Sequence, residues 1–364
     1  MKKNNLILFL LFLIILIVSI FIYYKNTNDR KTLLLPEKNI TEDTQSKILI
    51  NPDSLDWKEI TSSAPWGKRD SHGFTVYKNK IWLMGGVDGT TRMVSPGNVD
   101  YGNAPHLSDV WSSEDGINWQ PILNNAPWGQ RRSIQVVNFK GKMWLMGGWG
   151  PEFGCKNDVW SSEDGVKWKL ETKSAAWSAR EGHEVIVFQD KLWLMGGVKY
   201  DSHKVFNDVW SSEDGVNWIE VTEQAGWGPR WDFAATTFKD KIWVTGGMDL
   251  SQKMFNDVWS SEDGVNWNLA TNNPPFSIRQ GFITEYSGNL WMIGRLDDIT
   301  NKGINDVWYS EDGVNWEKTK NDPLWTGRED FGAVVFKDKI WIFGGMDKNW
   351  TWTNDVWCST SNIN

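Results

Sequence analysis

One twelve-residue string, NDVWSSEDGVNW, occurs twice without change, at Asn207–Trp218 and at Asn256–Trp267. Close copies stand at Ser108–Trp119, Asn157–Trp168 and Asn305–Trp316, and a shortened one, NDVWCSTSN, at Asn354–Asn362. The first tryptophan of each copy recurs as Trp111, Trp160, Trp210, Trp259, Trp308 and Trp357, a step of 49 or 50 residues. A period of this size means one supersecondary unit used repeatedly, each copy burying its apolar face against the next.

The stretch Trp177–Thr222 shows what the unit contains. Glu184–Phe188 (EVIVF) and Lys191–Met195 (KLWLM) are short β-branched and aromatic runs separated by the polar pair Gln189 and Asp190. Such runs read as strands bounded by turns. Gly196 and Gly197 follow, where the chain must leave the sheet through conformations that glycine tolerates. Asp208–Ser212 gives a third strand and Val216–Val221 a fourth, joined through Asp214 and Gly215, which favour a tight hairpin. Four antiparallel strands repeated six times predict a β-propeller. The sixth copy lacks its last strand. Asp53–Thr61 (DSLDWKEIT) aligns with Asp164–Thr172 (DGVKWKLET), so the N-terminal strand is expected to complete the last blade and close the ring. Closure removes the exposed edges that an open row of sheets would leave.

The chain has 364 residues with 27 Trp and 33 Gly, a balance suited to large rings packed between β-layers. Trp82, Trp144, Trp193, Trp243, Trp291 and Trp341 recur on the second strand and read as core. The net charge of −8, with both signs interspersed, argues against a nucleic-acid partner. Cys155 and Cys358 fall on non-neighbouring blades and are expected as free thiols, and four histidines leave little for a metal centre. No cofactor or metal is expected.

Ahead of the repeat, Leu6–Tyr24 (LILFLLFLIILIVSIFIYY) is a continuous apolar stretch. As a helix it would run about 28 Å, close to the roughly 30 Å hydrocarbon core of a bilayer. No alanine precedes Ala64 to form an Ala-x-Ala cleavage site, so residues 1–25 read as an uncleaved signal anchor, a transmembrane helix. Lys2 and Lys3 favour an inside N-terminus, although Lys25, Arg30 and Lys31 compete on the other side. The expectation is a membrane-anchored chain with its body outside the cytoplasm, periplasmic or extracellular. Residues 26–51 are polar and aperiodic and read as a tether, leaving 52–364 for the propeller.

An Arg opening the first strand, an apolar strand ending in Gly-Gly, Asn-Asp-Val-Trp and a Trp on the last strand together resemble the kelch-repeat family, from about Leu55 to Asn362. The Gly pairs stand at Gly85–Gly86, Gly147–Gly148, Gly196–Gly197, Gly246–Gly247 and Gly344–Gly345, while blade five departs from the pattern with Gly294–Arg295. The Ser-Ser-Glu-Asp-Gly turn also looks like a degenerate Asp box of sialidase-type propellers. The resemblance implies a six-bladed, galactose oxidase/kelch-like ring whose members mostly bind proteins. Some relatives are enzymes, among them galactose oxidase and a bacterial sialic acid mutarotase.

Residues that every blade carries are explained first by packing, so the Glu-Asp-Gly carboxylates read as turn hardware. The Arg before each first strand, namely Arg69, Arg131, Arg180, Arg230, Arg279 and Arg328, admits two readings. It is a structural pair, or it is one of a ring of cations at the channel mouth suited to a carboxylate-bearing partner. Beside it the identities diverge: Asp70, Arg132, Glu181, Trp231, Gln280 and Glu329. The loops after the Gly pairs add Trp149, Tyr200, Trp350 and Trp352, and blade one carries a long insertion, Val87–Ser108. By the kelch resemblance both sets open on one face. These arginines and aromatics, Arg132 and Trp231 included, are the expected ligand-binding residues, suited to a peptide or to sugar rings.

A galactose-oxidase-like copper site lacks its paired tyrosines and histidines. A sialidase-like site lacks its Phe-Arg-Ile-Pro segment, for which Ser277–Gln280 is a poor substitute. No nucleophile motif, phosphate loop or zinc spacing appears, and no catalytic residue is assigned. The reading is a membrane-tethered propeller that binds a protein or glycan ligand through its loop face. The alternative is a carbohydrate-active enzyme, sialidase-like or sialic acid mutarotase-like, using Asp232, Asp330 or Glu181 for acid–base chemistry.

Overall fold

The computed structural model describes residues 49–361, except 90–92, 96–97, 100–102, 252, 277–280, 298–301 and 348. The apolar segment Leu6–Tyr24 and nearly all of the tether lie outside the described residues. Among the described residues no helix is long and apolar enough to cross a membrane.

Six antiparallel sheets form the blades. In blade three, Glu184–Phe188 pairs Lys191–Met195, which pairs Val209–Ser212, which pairs Ile219–Thr222. The first two strands have the bounds that the β-branched runs predict. The last begins three residues later than expected, because the Asp214 carboxylate accepts hydrogen bonds from the backbone of Val216 and Asn217, at 2.8 Å each. The turn is therefore wider than a tight hairpin. Its start is fixed by Ser212, whose Oγ accepts from the Gly215 N–H at 2.8 Å.

The inner strands Gly73–Tyr77, Gln135–Phe139, Glu184–Phe188, Ala234–Phe238, Phe282–Tyr286 and Gly332–Val335 each contact the inner strands of both neighbouring blades, the sixth meeting the first. The ring is closed as the sequence alignment requires. Leu55–Thr61 lies antiparallel to Val356–Ser361, with Leu55 opposite Ser361 and Trp57 opposite Ser359. Trp57 is 6 % exposed and meets Trp325 edge to face, ring centres 4.3 Å apart. Blade five keeps its glycine turn despite Arg295. Gly294 alone takes a positive φ, +64°, and the ladder runs on from Asn289–Asp297 to Lys302–Ser310 through a bulge.

The second-strand tryptophans are all buried, at 0–5 % exposure, and lie in clusters between blades. Each indole N–H finds a partner within its own hairpin. That of Trp193 donates to the carbonyl of Phe188 at 2.9 Å. Apolar area is thus buried without orphaning a polar atom. Cys155 and Cys358 are free thiols on blades two and six.

Candidate binding site at the channel mouth

The Arg and Gly-pair motifs meet at one corner of each blade. Arg180 directs its guanidinium inward, donating to both oxygens of Asp208 at 2.5 and 2.8 Å and to the carbonyl of Gly196 at 2.8 Å. Asp208 also accepts the indole N–H of Trp210 at 2.9 Å. Arg, the first glycine and Asp-x-Trp therefore form one network. The same pairing joins Arg69 to Asp109, Arg131 to Asp158, Arg230 to Asp257 and Arg328 to Asp355, at 2.6–2.8 Å. These five arginines are at most 2 % exposed. Of the two readings the structural pair holds for these five: they stand as ion pairs inside the wall and form no ring of cations at the mouth, because the Asp before Val-Trp supplies a fork-shaped partner within the same blade. Arg279 lies outside the described residues.

The backbone of these arginines also joins the blades. Gly148 donates to the carbonyl of Arg180 at 3.0 Å and Gly197 to that of Arg230 at 2.9 Å. Both members of the Gly196–Gly197 pair need positive φ, +57° and +99°, to reach these partners. Three residues after each Arg sits a packing wedge. His183 lies against Gly147 and Gly197, as Phe233 lies against Gly196 and Gly247. Variation between His and Phe there is exchange among core residues. Burial, then the nearby arginine, lowers His72 and His183 to about 3, so both rings are neutral.

The residue after each Arg is the one that faces the loops. Arg132 bridges to Trp149, Glu181 to Val198 and Trp231 to Met248, while Asp70 pairs Val87 and Glu329 pairs Met346. Corners and loops therefore open together, as expected. Arg132 donates to both carboxylate oxygens of Glu181, at 2.9 and 3.2 Å, and its guanidinium lies 4.9 Å from the Trp149 ring centre. The Trp149 ring is 5.2 Å from that of His106. Tyr200, exposed at the loop, meets Trp231 edge to face at 5.5 Å. Trp352 is 4 % exposed and packs with Met346 and Trp350. Of the expected aromatic ligands, Trp149, Tyr200 and Trp231 border the mouth, while Trp352 is a packing residue of its own loop.

Below the corners the channel widens into a cavity of about 270 Å³. Its rim carries Ser71, Ser133, Asp232 and Asp330, all with positive φ, and the backbone links them around the ring. Ser71 N–H donates to Asp330 O, Ser133 N–H to Ser71 O and Asp232 N–H to Gly182 O, at 2.8–3.0 Å. Its lining includes Phe74, Phe233, Phe282 and Phe331. Phe74 and Phe282, from blades one and five, meet edge to face at 6.1 Å.

Two carboxyls here hold protons unusually well. Burial, then Asp330, pushes Asp70 up to about 8. Burial, then Asp232, pushes Glu184 well above the usual carboxylate range. Burial, then Glu181, also pushes the Cys155 thiol up to about 12, which keeps it unreactive. Glu184 escaped the reading of the sequence. Its signal was a charge heading an inner strand, where the other blades have Gly73, Gln135, Ala234, Phe282 and Gly332.

The domain description "KLHDC2/KLHL20/DRC7 Kelch-repeats domain" matches residues 133–345. Among solved structures, one titled "Structure of YjhT" is similar with a TM-score of 0.64 at 15 % identity, covering 82 % of this chain and 96 % of that one. At that identity the likeness is one of fold. No curated protein sequence matches the chain.

Proposed function

Because the chain belongs to the kelch-repeat β-propeller family, typically interaction modules, we propose that it binds a partner protein through the channel mouth. One observation carries this reading. The residues that differ from blade to blade, Arg132, Trp149, Glu181, Tyr200 and Trp231, converge around the opening of the central cavity, while the repeated ones are spent inside the wall. Aromatic rings beside a charged pair at the rim of a concave site are the usual composition of a binding hot spot. Residues 1–25 would hold the chain in a membrane and 26–51 would space the propeller from it, outside the cytoplasm.

Affinity capture with the full chain, purified in detergent, tests the assignment. Trp231→Ala and Tyr200→Ala are expected to lose the captured partner while keeping the wild-type melting temperature. Retention of the same partner by both variants would sink it.

A second reading, an enzyme acting on a sugar, draws support from Glu184 and Asp70. Both are carboxyls tuned upward by burial and a neighbouring acid, as general acids are. Sialoside hydrolysis and mutarotation assays run beside the capture would show turnover under this reading, lost in Glu184→Gln.

A further inference from the structure

We infer that the central cavity receives a positively charged side chain of the partner, lysine or arginine, with Glu184 as its counter-ion. The inference rests on the binding reading above and names the group that enters.

Strand geometry places the carboxyl. Successive residues of Glu184–Phe188 point to opposite faces. Val185 belongs to the buried cluster between blades two and three, so Glu184 and Ile186 lie on the side of blade four, where Ile186 packs on the next cluster and Glu184 lines the cavity within the field of Asp232. The cavity, at about 270 Å³, has room for far more than a single water. Glu184 has no hydrogen bond or ion pair among the described residues. The charged group acting on it is Asp232, which repels it. Half-buried on the cavity wall and faced by a second acid, this carboxyl has no cation beside it, and an entering one supplies that partner.

The surroundings suit the rest of such a side chain. Phe74, Phe233, Phe282 and Phe331 offer apolar contact to a methylene stem and ring faces to a cation. The other titratable groups on the cavity are Asp232 and Asp330 at the rim and the neutral His72 and His183. None of these adds positive charge. The raised affinity of Glu184 for its proton adds a consequence. Burial and Asp232 favour the protonated acid and an entering cation favours the ionised one, so binding strengthens as pH rises.

The test uses the full chain with three probes of one length: n-butylammonium, n-butanol and butyrate, followed by saturation-transfer NMR. Butylammonium is expected to bind at least tenfold more tightly than either other probe, with an affinity that rises with pH. Glu184→Gln, of the same shape, should remove both the preference and the pH dependence while the melting temperature is kept. Should that variant fail to fold, the pH dependence of butylammonium against butanol on the unaltered chain decides the matter. Butanol binding as tightly as butylammonium, or an unchanged preference in Glu184→Gln, would overturn the cation pocket. Neither result touches the rim, whose own test is Trp231→Ala.

Discussion

The indole of Trp144 on blade two covers Gly215 on blade three so closely that a β-carbon at Gly215 would stand 2.3 Å from the ring. The relation repeats with Trp82 over Gly165, Trp193 over Gly264, Trp243 over Gly313 and Trp341 over Gly116. The acidic turn is therefore the seat for the neighbouring blade's largest side chain, which explains why Asp, Gly and Trp recur together.

Gly215 also sits in the left-handed region, where a side chain adds strain. Gly215→Ala is therefore expected to destabilise the ring by about 2–4 kcal/mol, combining that strain with an overpacked indole. Urea unfolding followed by tryptophan fluorescence measures it. An unchanged unfolding midpoint would mean that the ring yields freely.

Arg180→Ala leaves the Asp208 carboxylate inside the wall without its fork, at a cost of about 3–5 kcal/mol. Arg180→Lys should fall between that variant and the native chain, since one ammonium cannot serve both oxygens and the Gly196 carbonyl in the same geometry. Equal stability of all three in chemical denaturation would contradict the pairing.

The closing strand carries its own test. Trp57→Ala is expected to cost about 3–5 kcal/mol, the usual penalty for emptying a buried Trp site. Removal of Leu55–Thr61 exposes an unpaired edge along Val356–Ser361 and should drive aggregation, visible by light scattering. A monodisperse deletion variant with an undiminished melting temperature would refute closure.

Acid titration isolates the histidine wedges. Both rings have folded values lowered to about 3, so the unfolded chain binds more protons below its own value near 6.5. Stability from this source is present above about pH 6.5 and is lost as pH falls toward 3. By pH 5 the loss is about 2 kcal/mol for each histidine. Phe occupies the same place at Phe233 and Phe331, so His72→Phe with His183→Phe should flatten the acid side of the stability curve. The sign is distinctive, because Asp70 and Glu184 oppose it: raised carboxyls favour the folded state at low pH. An unchanged difference between variant and native chain from pH 7 to pH 5 would exclude the wedges as its source.

Repetition made the architecture readable, since an error in one blade is corrected by five others. Glu184–Phe188 and Lys191–Met195 were legible to the residue for that reason. The start of the fourth strand was not, because the Asp214 carboxylate takes backbone donors that a hairpin would otherwise use. The arginines stayed ambiguous because their partners lie far along the chain, Asp208 being 28 residues from Arg180. Nothing local tells whether a guanidinium turns inward or outward. Glu184 went unseen for a related reason. Its meaning comes from a cavity that six strands enclose together, and no single stretch contains that cavity.

Closure by the first strand also sets a clock. Leu55–Thr61 is made roughly 300 residues ahead of its partner Val356–Ser361. At 5–20 residues per second the wait is roughly 15–60 s. Throughout it Trp57 has no seat on the last blade, and that blade has no outer edge. The nascent chain must be shielded for that interval, or fold as an open arc that shuts only when the last strand arrives.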